Sequence, residues 1–269
     1  MRALKQLVFF GWQQALSCLF PVVIFASLAI TQIVPLPILP RYDWLLMICL
    51  FMQWAMLRSG LETRDELKVI TLFHVIGLAL ELFKVHMGSW SYPEEAYSKV
   101  FGVPLYSGFM YASVASYLCQ AWRRLHVRLV KWPSSLVVVP LAAAIYLNFF
   151  THHYWIDVRW WLSGLVIFVF WQAWVIYEVN GTRYRMPLAL SFVLIGFFIW
   201  VAENIATYFG AWEYPYQRDA WSLVHLGKVS SWLLLVIVSF LIVATLKRVK
   251  GESTTKSRTR MPTLDRKSS

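Results

Sequence analysis

Two glutamates stand where a glutamate is expensive. Glu81 and Glu203 each fall late in a long apolar run, and each opens the same pattern. Glu81, Gly88, Trp90, Tyr92 and Pro93 spell E-x6-G-x-W-x-Y-P, and so do Glu203, Gly210, Trp212, Tyr214 and Pro215, 122 residues further on. A charged side chain in the hydrocarbon costs roughly 2.5–3.5 kcal/mol on insertion scales, so such a group is expected to face a bundle interior and meet a partner. Two neighbouring carboxylates in a poor dielectric do not both stay ionised; one keeps its proton and can serve as a general acid.

The spacing has a physical meaning. Seven residues from Glu to Gly make two helical turns, about 10 Å of rise, which sets each carboxylate below the outer membrane interface. The glycine suits a left-handed helix cap. The Trp and Tyr then fall at headgroup depth, where each taken singly reads as an interface anchor. His74, Gly77, Glu81 and Lys84 share one helix face, and His225, Lys228 and Trp232 share another. Glu81 and Glu203 are therefore the candidate acid/base or binding carboxylates. Lys84, His86, Trp90, Tyr92, Trp212, Tyr214, His225 and Lys228 are the candidate binding residues around them. Lys84 is the expected partner of Glu81, and Lys228 or His225 that of Glu203.

His152, His153 and Asp157 follow on the same side, but a histidine pair without a third spaced ligand does not make a metal site. Cys18, Cys49 and Cys119 sit inside apolar segments and read as packing residues. There is no nucleotide-binding glycine motif, no P-loop, no H-E-x-x-H and no G-x-S-x-G. No metal and no cofactor is expected.

The elements that position these residues follow from composition. Hydrophobic residues make up 59% of the 269 and charged residues only 14%, against about half and a quarter in soluble domains. Apolar stretches close to the ~20 residues that span hydrocarbon recur at about 14–34, 43–57, 68–88, 102–122, 135–151, 158–177, 187–209 and 221–246. The expected fold is an all-α, polytopic membrane bundle of about eight transmembrane helices, built as two parallel four-helix repeats over 1–130 and 131–246. A basic, disordered cytoplasmic tail is expected over 247–269. The first run continues to Val34, too long for a signal-peptide core, so no cleaved leader is expected.

The net charge of +11 is distributed as topology, not as a nucleic-acid surface. Nineteen Lys and Arg fall in the N-terminus, alternate loops and tail, against four (Arg41, Lys99, Arg159, Arg218) in the remaining loops. That bias places both termini in the cytoplasm and the two motifs on the outer side. Membrane lipids, and an apolar small molecule, are the expected partners; nucleic acid is not.

From its opening residues Met1 to Val8 through both motifs, the chain resembles the YoaT-like bacterial integral membrane proteins. The resemblance implies a bacterial cell-membrane location. The Glu81 and Glu203 motifs alone look like those of carotenoid-pathway membrane enzymes such as lycopene cyclases and carotenoid hydratases, in which an acidic residue protonates a polyene. The chain departs from the cyclases in having no paired Glu-Glu within its spans; Glu94 and Glu95 lie in a loop. Three readings follow. The first is a pocket that binds or modifies a lipid or isoprenoid-like molecule, the second a small transporter, the third a non-catalytic structural membrane protein in which Glu–Lys pairs only join helices.

Overall fold

The computed structural model describes residues 2–34 and 36–259, with side chains for 3–34 and 36–244. Among these, nine helices carry the fold: α1 (Arg2–Ser17), α2 (Leu19–Ile33), α3 (Arg41–Arg58), α4 (Arg64–His86), α5 (Ser107–Arg124), α6 (Ser135–Thr151), α7 (Arg159–Val169), α8 (Leu188–Tyr208) and α9 (Lys228–Thr259). Each of the eight apolar stretches overlaps one of the helices α2–α9. The N-terminal α1 is set off from α2 by a 69° bend at Cys18.

Two helices, α4 and α8, are long and apolar enough to cross a membrane, or three spans if the bent α1–α2 pair is one. These are the helices that carry the two glutamates. Helices α6, α7 and the Lys228–Ala244 part of α9 are apolar but shorter.

The expectation of an all-α chain is corrected. The protein is mostly helical, with a hairpin of β1 (Lys99–Val100) and β2 (Val103–Pro104) and a three-stranded antiparallel sheet of β3 (Arg128–Val130), β4 (Trp174–Val179) and β5 (Thr182–Pro187). The stretch 158–177 is thus not one long helix. It stops at Val169 and re-forms as β4, whose β-branched and aromatic Trp174, Val175, Ile176, Tyr177 and Val179 favour a strand. Asn180 and Gly181 both take positive φ, 48° and 73°, the geometry of a two-residue hairpin turn. At the C-terminus α9 continues to Thr259, and residues 260–269 of the expected tail lie outside the described ones.

Helix α4 begins on a capping box: the Glu66 N–H donates to Thr63 Oγ1 at 3.2 Å and the Thr63 N–H to Glu66 Oε2 at 2.9 Å. It packs most closely on α5, and α8 most closely on α9. Gly77 makes the first packing possible, since a Cβ there would lie 2.4 Å from the Tyr111 ring on α5. Gly196 does the same for the second, where a Cβ would lie 3.0 Å from the Leu233 backbone nitrogen.

Candidate functional site

The two motifs fold alike because their caps are local. Gly88 and Gly210 both sit at φ +66°. In the first, the Ser89 N–H donates to the Lys84 carbonyl at 2.9 Å; in the second, the Ala211 N–H donates to the Ala206 carbonyl at 3.0 Å. Both chains then turn toward each other. Ser91 and Glu213, themselves 122 residues apart, form an antiparallel bridge with both N–H to carbonyl bonds at 2.9 Å. The bridge thus joins equivalent positions of the two motifs.

Each glutamate is wrapped by aromatic donors. Glu81 is 3% exposed; Trp90 Nε1 and the Tyr92 hydroxyl both donate to its Oε2 at 2.7 Å, and the Tyr111 hydroxyl to Oε1 at 2.8 Å. Glu203 is also 3% exposed; the Tyr214 hydroxyl donates to Oε1, and Trp232 Nε1 to Oε2 at 2.6 Å. Tyr92, Trp212 and Tyr214 are buried and Trp90 half-buried, so the anchor reading of these four gives way. Burial first, then the adjacent glutamate, pushes the Tyr92 and Tyr214 phenols well above the usual tyrosine range. Both therefore remain hydroxyl donors at neutral pH.

One cation joins the two cradles. Lys228 Nζ lies 5.3 Å from the Trp90 ring centre and 4.7 Å from that of Tyr214, whose rings meet edge to face at 6.0 Å. No ion pair engages either carboxylate among the described residues. Lys228 thus faces one aromatic ring of each cradle.

The other expected partners lie elsewhere. Lys84 is buried but turns from Glu81 to the end of α6, where it donates to the Phe149 carbonyl at 3.0 Å and meets His153 Nε2 at 2.8 Å and His152 Nε2 at 3.3 Å. His152 Nδ1 is 3.0 Å from the Asn148 carbonyl, which makes that nitrogen the donor and leaves Nε2 to accept from the ammonium. Partial burial, then the Lys84 charge, lowers His153, itself exposed, to about 4 and also lowers half-buried His152, so both imidazoles are neutral. Burial works to raise Asp157, but its hydrogen bonds with Arg159 outweigh it and hold that carboxyl low. No cluster of three metal-ligating side chains occurs among the described residues.

His86 is exposed. His225 is exposed as well, and its Nδ1 accepts from the Gly227 N–H at 3.1 Å. Because α9 starts only at Lys228, His225 does not share a helix face with Lys228 and Trp232 as expected. Aromatic side chains close on the carboxylates, and the described cavities lie at the α3–α4 turn and on α1.

Tyr111 escaped the sequence reading, and Trp232 entered it only as sharing a face with Lys228, not as a donor to Glu203. Each comes from the helix packed on its glutamate's own, 30 and 29 residues away. Gly77 opposite Tyr111 was the one signal that pointed to such a close approach. Arg41, read only as a loop charge, reaches the end of α8: it donates to the Phe209 carbonyl at 2.5 Å and the Gly210 carbonyl at 3.2 Å while pairing with Glu94 at 2.5 Å.

A family described as a protein of unknown function, DUF817, matches residues 6–240. The chain belongs to the DUF817 family. An uncharacterized protein YoaT of Bacillus subtilis (strain 168) is 84% identical over 257 residues, covering 96% of this chain and 97% of that one. The resemblance to YoaT-like proteins therefore holds over nearly the whole length. Among solved structures, a cross-linked MvINS trimer matches this DUF817 chain with a TM-score of 0.49 at 13% identity, covering 76% of this chain and 98% of that one.

Proposed function

We propose that this DUF817 protein is a multi-pass protein of the bacterial cell membrane, with eight crossings in two parallel four-helix halves and both termini cytoplasmic. Its Glu81–Glu203 pair binds a lipid or isoprenoid-like molecule and modifies it by proton transfer. The observation that carries this reading is the pair itself, two buried carboxylates at equivalent positions with a single ammonium between their cradles. One negative charge is left to be balanced, and a proton on one carboxyl balances it. That proton can pass to an alkene carbon of an apolar substrate. The other carboxylate then takes a proton from the adjacent carbon of the resulting cation, so the step is redox-neutral and needs no co-reactant. The tyrosine and indole donors hold whichever carboxylate is ionised. On this reading a substrate reaches the pair from the side of half-buried Trp90.

The test is lipid and isoprenoid profiling of cells lacking the protein. Wild type is expected to restore the profile, while Glu81→Gln and Glu203→Gln, at wild-type membrane levels, are not. Restoration by both variants would remove the carboxylates from the chemistry. Failure of both to accumulate would leave them a structural role.

A small transporter is the second reading, and the 69° bend between α1 and α2 favours it. Broken helices line substrate paths in many transporters. Solute uptake that depends on Glu81 and Glu203, with an unchanged lipid profile, would select it.

A further inference from the structure

The α3–α4 turn lies at the opposite end of α4 from Glu81, about 25 Å away along the helix. It holds a cavity of about 310 Å³ lined by Trp54, Leu57, Arg58, Glu62 and Arg64. Glu62 is only 2% exposed, and both its oxygens are occupied, Oε2 by Gln53 at 2.5 Å and Oε1 by the Ser116 hydroxyl. It is therefore turned into the protein. Gln120 donates to the Leu61 carbonyl at 2.5 Å, Arg123 donates to the same carbonyl, and Arg123 also pairs with Glu66 at 3.4 Å. The turn is thus clamped from α5.

Arg58 and Arg64 are exposed, and none of the ion pairs among the described residues includes either. Two arginines lining one cavity can offer their guanidinium forks to a phosphate. What leads away from the cavity is apolar. Met47, Leu50, Phe51 and Trp54 follow helical spacing on α3 and are 52%, 48%, 66% and 58% exposed. Cationic head site and exposed apolar track are continuous, and the turn lies on the arginine-rich side that the charge bias assigns to the cytoplasm.

We propose that the Arg58–Arg64 cavity binds the phosphate of an anionic phospholipid of the inner leaflet, with the acyl chains laid along the Met47–Trp54 stripe of α3. This site is separate from the glutamate pair and rests only on the proposed membrane location and the cytoplasmic placement of this turn. A zwitterionic lipid places a cation beside the arginines and is disfavoured; an anionic one complements both.

The experiment uses the full-length protein purified in detergent. It is titrated with phosphatidylglycerol, with phosphatidylcholine, or with inorganic phosphate, and read by thermal midpoint and by lipids retained in native mass spectrometry. Phosphatidylglycerol is expected to raise the midpoint and be retained, and the other two are not. Arg58→Gln with Arg64→Gln is expected to weaken phosphatidylglycerol at least ten-fold, each single change less, and Arg128→Gln at an exposed arginine elsewhere not at all. Trp54→Ala should weaken the lipid while leaving the arginines in place. These residues are exposed, so the variants should fold, as the midpoint without lipid will verify. Undiminished binding in the double variant, equal stabilisation by phosphatidylcholine, or equal stabilisation by phosphate alone would each overturn the proposal.

Discussion

The cradles of Glu81 and Glu203 share a backbone and differ in their side chains. Both helices end on a glycine at φ +66°, and in both a tyrosine eleven residues on reaches back to the carboxylate. Beyond that they diverge. Glu81 takes three donors, one of them Trp90 of its own motif; Glu203 takes two, and its indole comes from α9. The first motif's lysine leaves for His152 and His153, while the ammonium between the cradles is Lys228 of α9. A repeated sequence repeats what is local, the cap and the two-turn spacing. The rest of each cradle is supplied by a neighbouring helix, which the repeat does not constrain.

The largest expected effect breaks the comparison at its donors. A buried donor left unpaired costs about 1–3 kcal/mol. Glu81→Ala strands three and Glu203→Ala two, so both should lower unfolding stability by several kcal/mol, with Glu81→Ala the worse. Denaturant unfolding in detergent measures this, and a reversed order would show that donor number does not separate the cradles.

Next comes the packing that brings the partner helix close. Gly77→Ala drives a Cβ into the root of Tyr111, with contacts of 2.4–2.6 Å, whereas Gly196→Ala meets the Leu233 backbone at 3.0–3.1 Å. Overpacking of this kind costs typically about 1–3 kcal/mol. Gly77→Ala should be the more destabilising, because Tyr111 cannot move without leaving Glu81. A Gly77→Ala protein as stable as wild type would mean that Tyr111 reaches Glu81 by another route.

Much of this was legible in the sequence and some was not. The apolar runs located eight of the nine helices because lipid-length hydrophobicity is a local signal. The E-x6-G-x-W-x-Y-P repeat located both buried glutamates and, through the caps, their tyrosines. Tyr111, and the bond from Trp232 to Glu203, were hidden because a tertiary contact leaves no periodicity of its own. His225 was misplaced because α9 starts three residues after it, at Lys228. The β4–β5 hairpin was missed although Asn180-Gly181 is a strong turn signal; the apolar content of 158–177 outweighed it.

A smaller effect concerns the divergent lysine. His153 accepts from Lys84 only when neutral, and its pKa in the fold is about 4 against 6.5 for an unperturbed histidine. The unfolded chain therefore takes up this proton first as pH falls. Stability should begin to drop below about pH 6.5 and this loss should be complete below about pH 4. His153→Gln should flatten that part of the stability–pH curve, measured by thermal unfolding between about pH 7 and pH 4. An unchanged slope would mean that the imidazole–ammonium contact contributes nothing to the fold.

The central claim is that two carboxylates share one ammonium and so carry one proton. Infrared spectroscopy of the full-length protein at neutral pH tests it directly, through the carbonyl stretch of a protonated carboxyl. Glu62 is also driven toward the protonated form by burial, partly offset by its Ser116 and Gln53 bonds, so the measurement belongs in a Glu62→Gln background. The account predicts one protonated-carboxyl band there, lost or shifted in Glu81→Gln and in Glu203→Gln. No band, or a band untouched by either substitution, would contradict it.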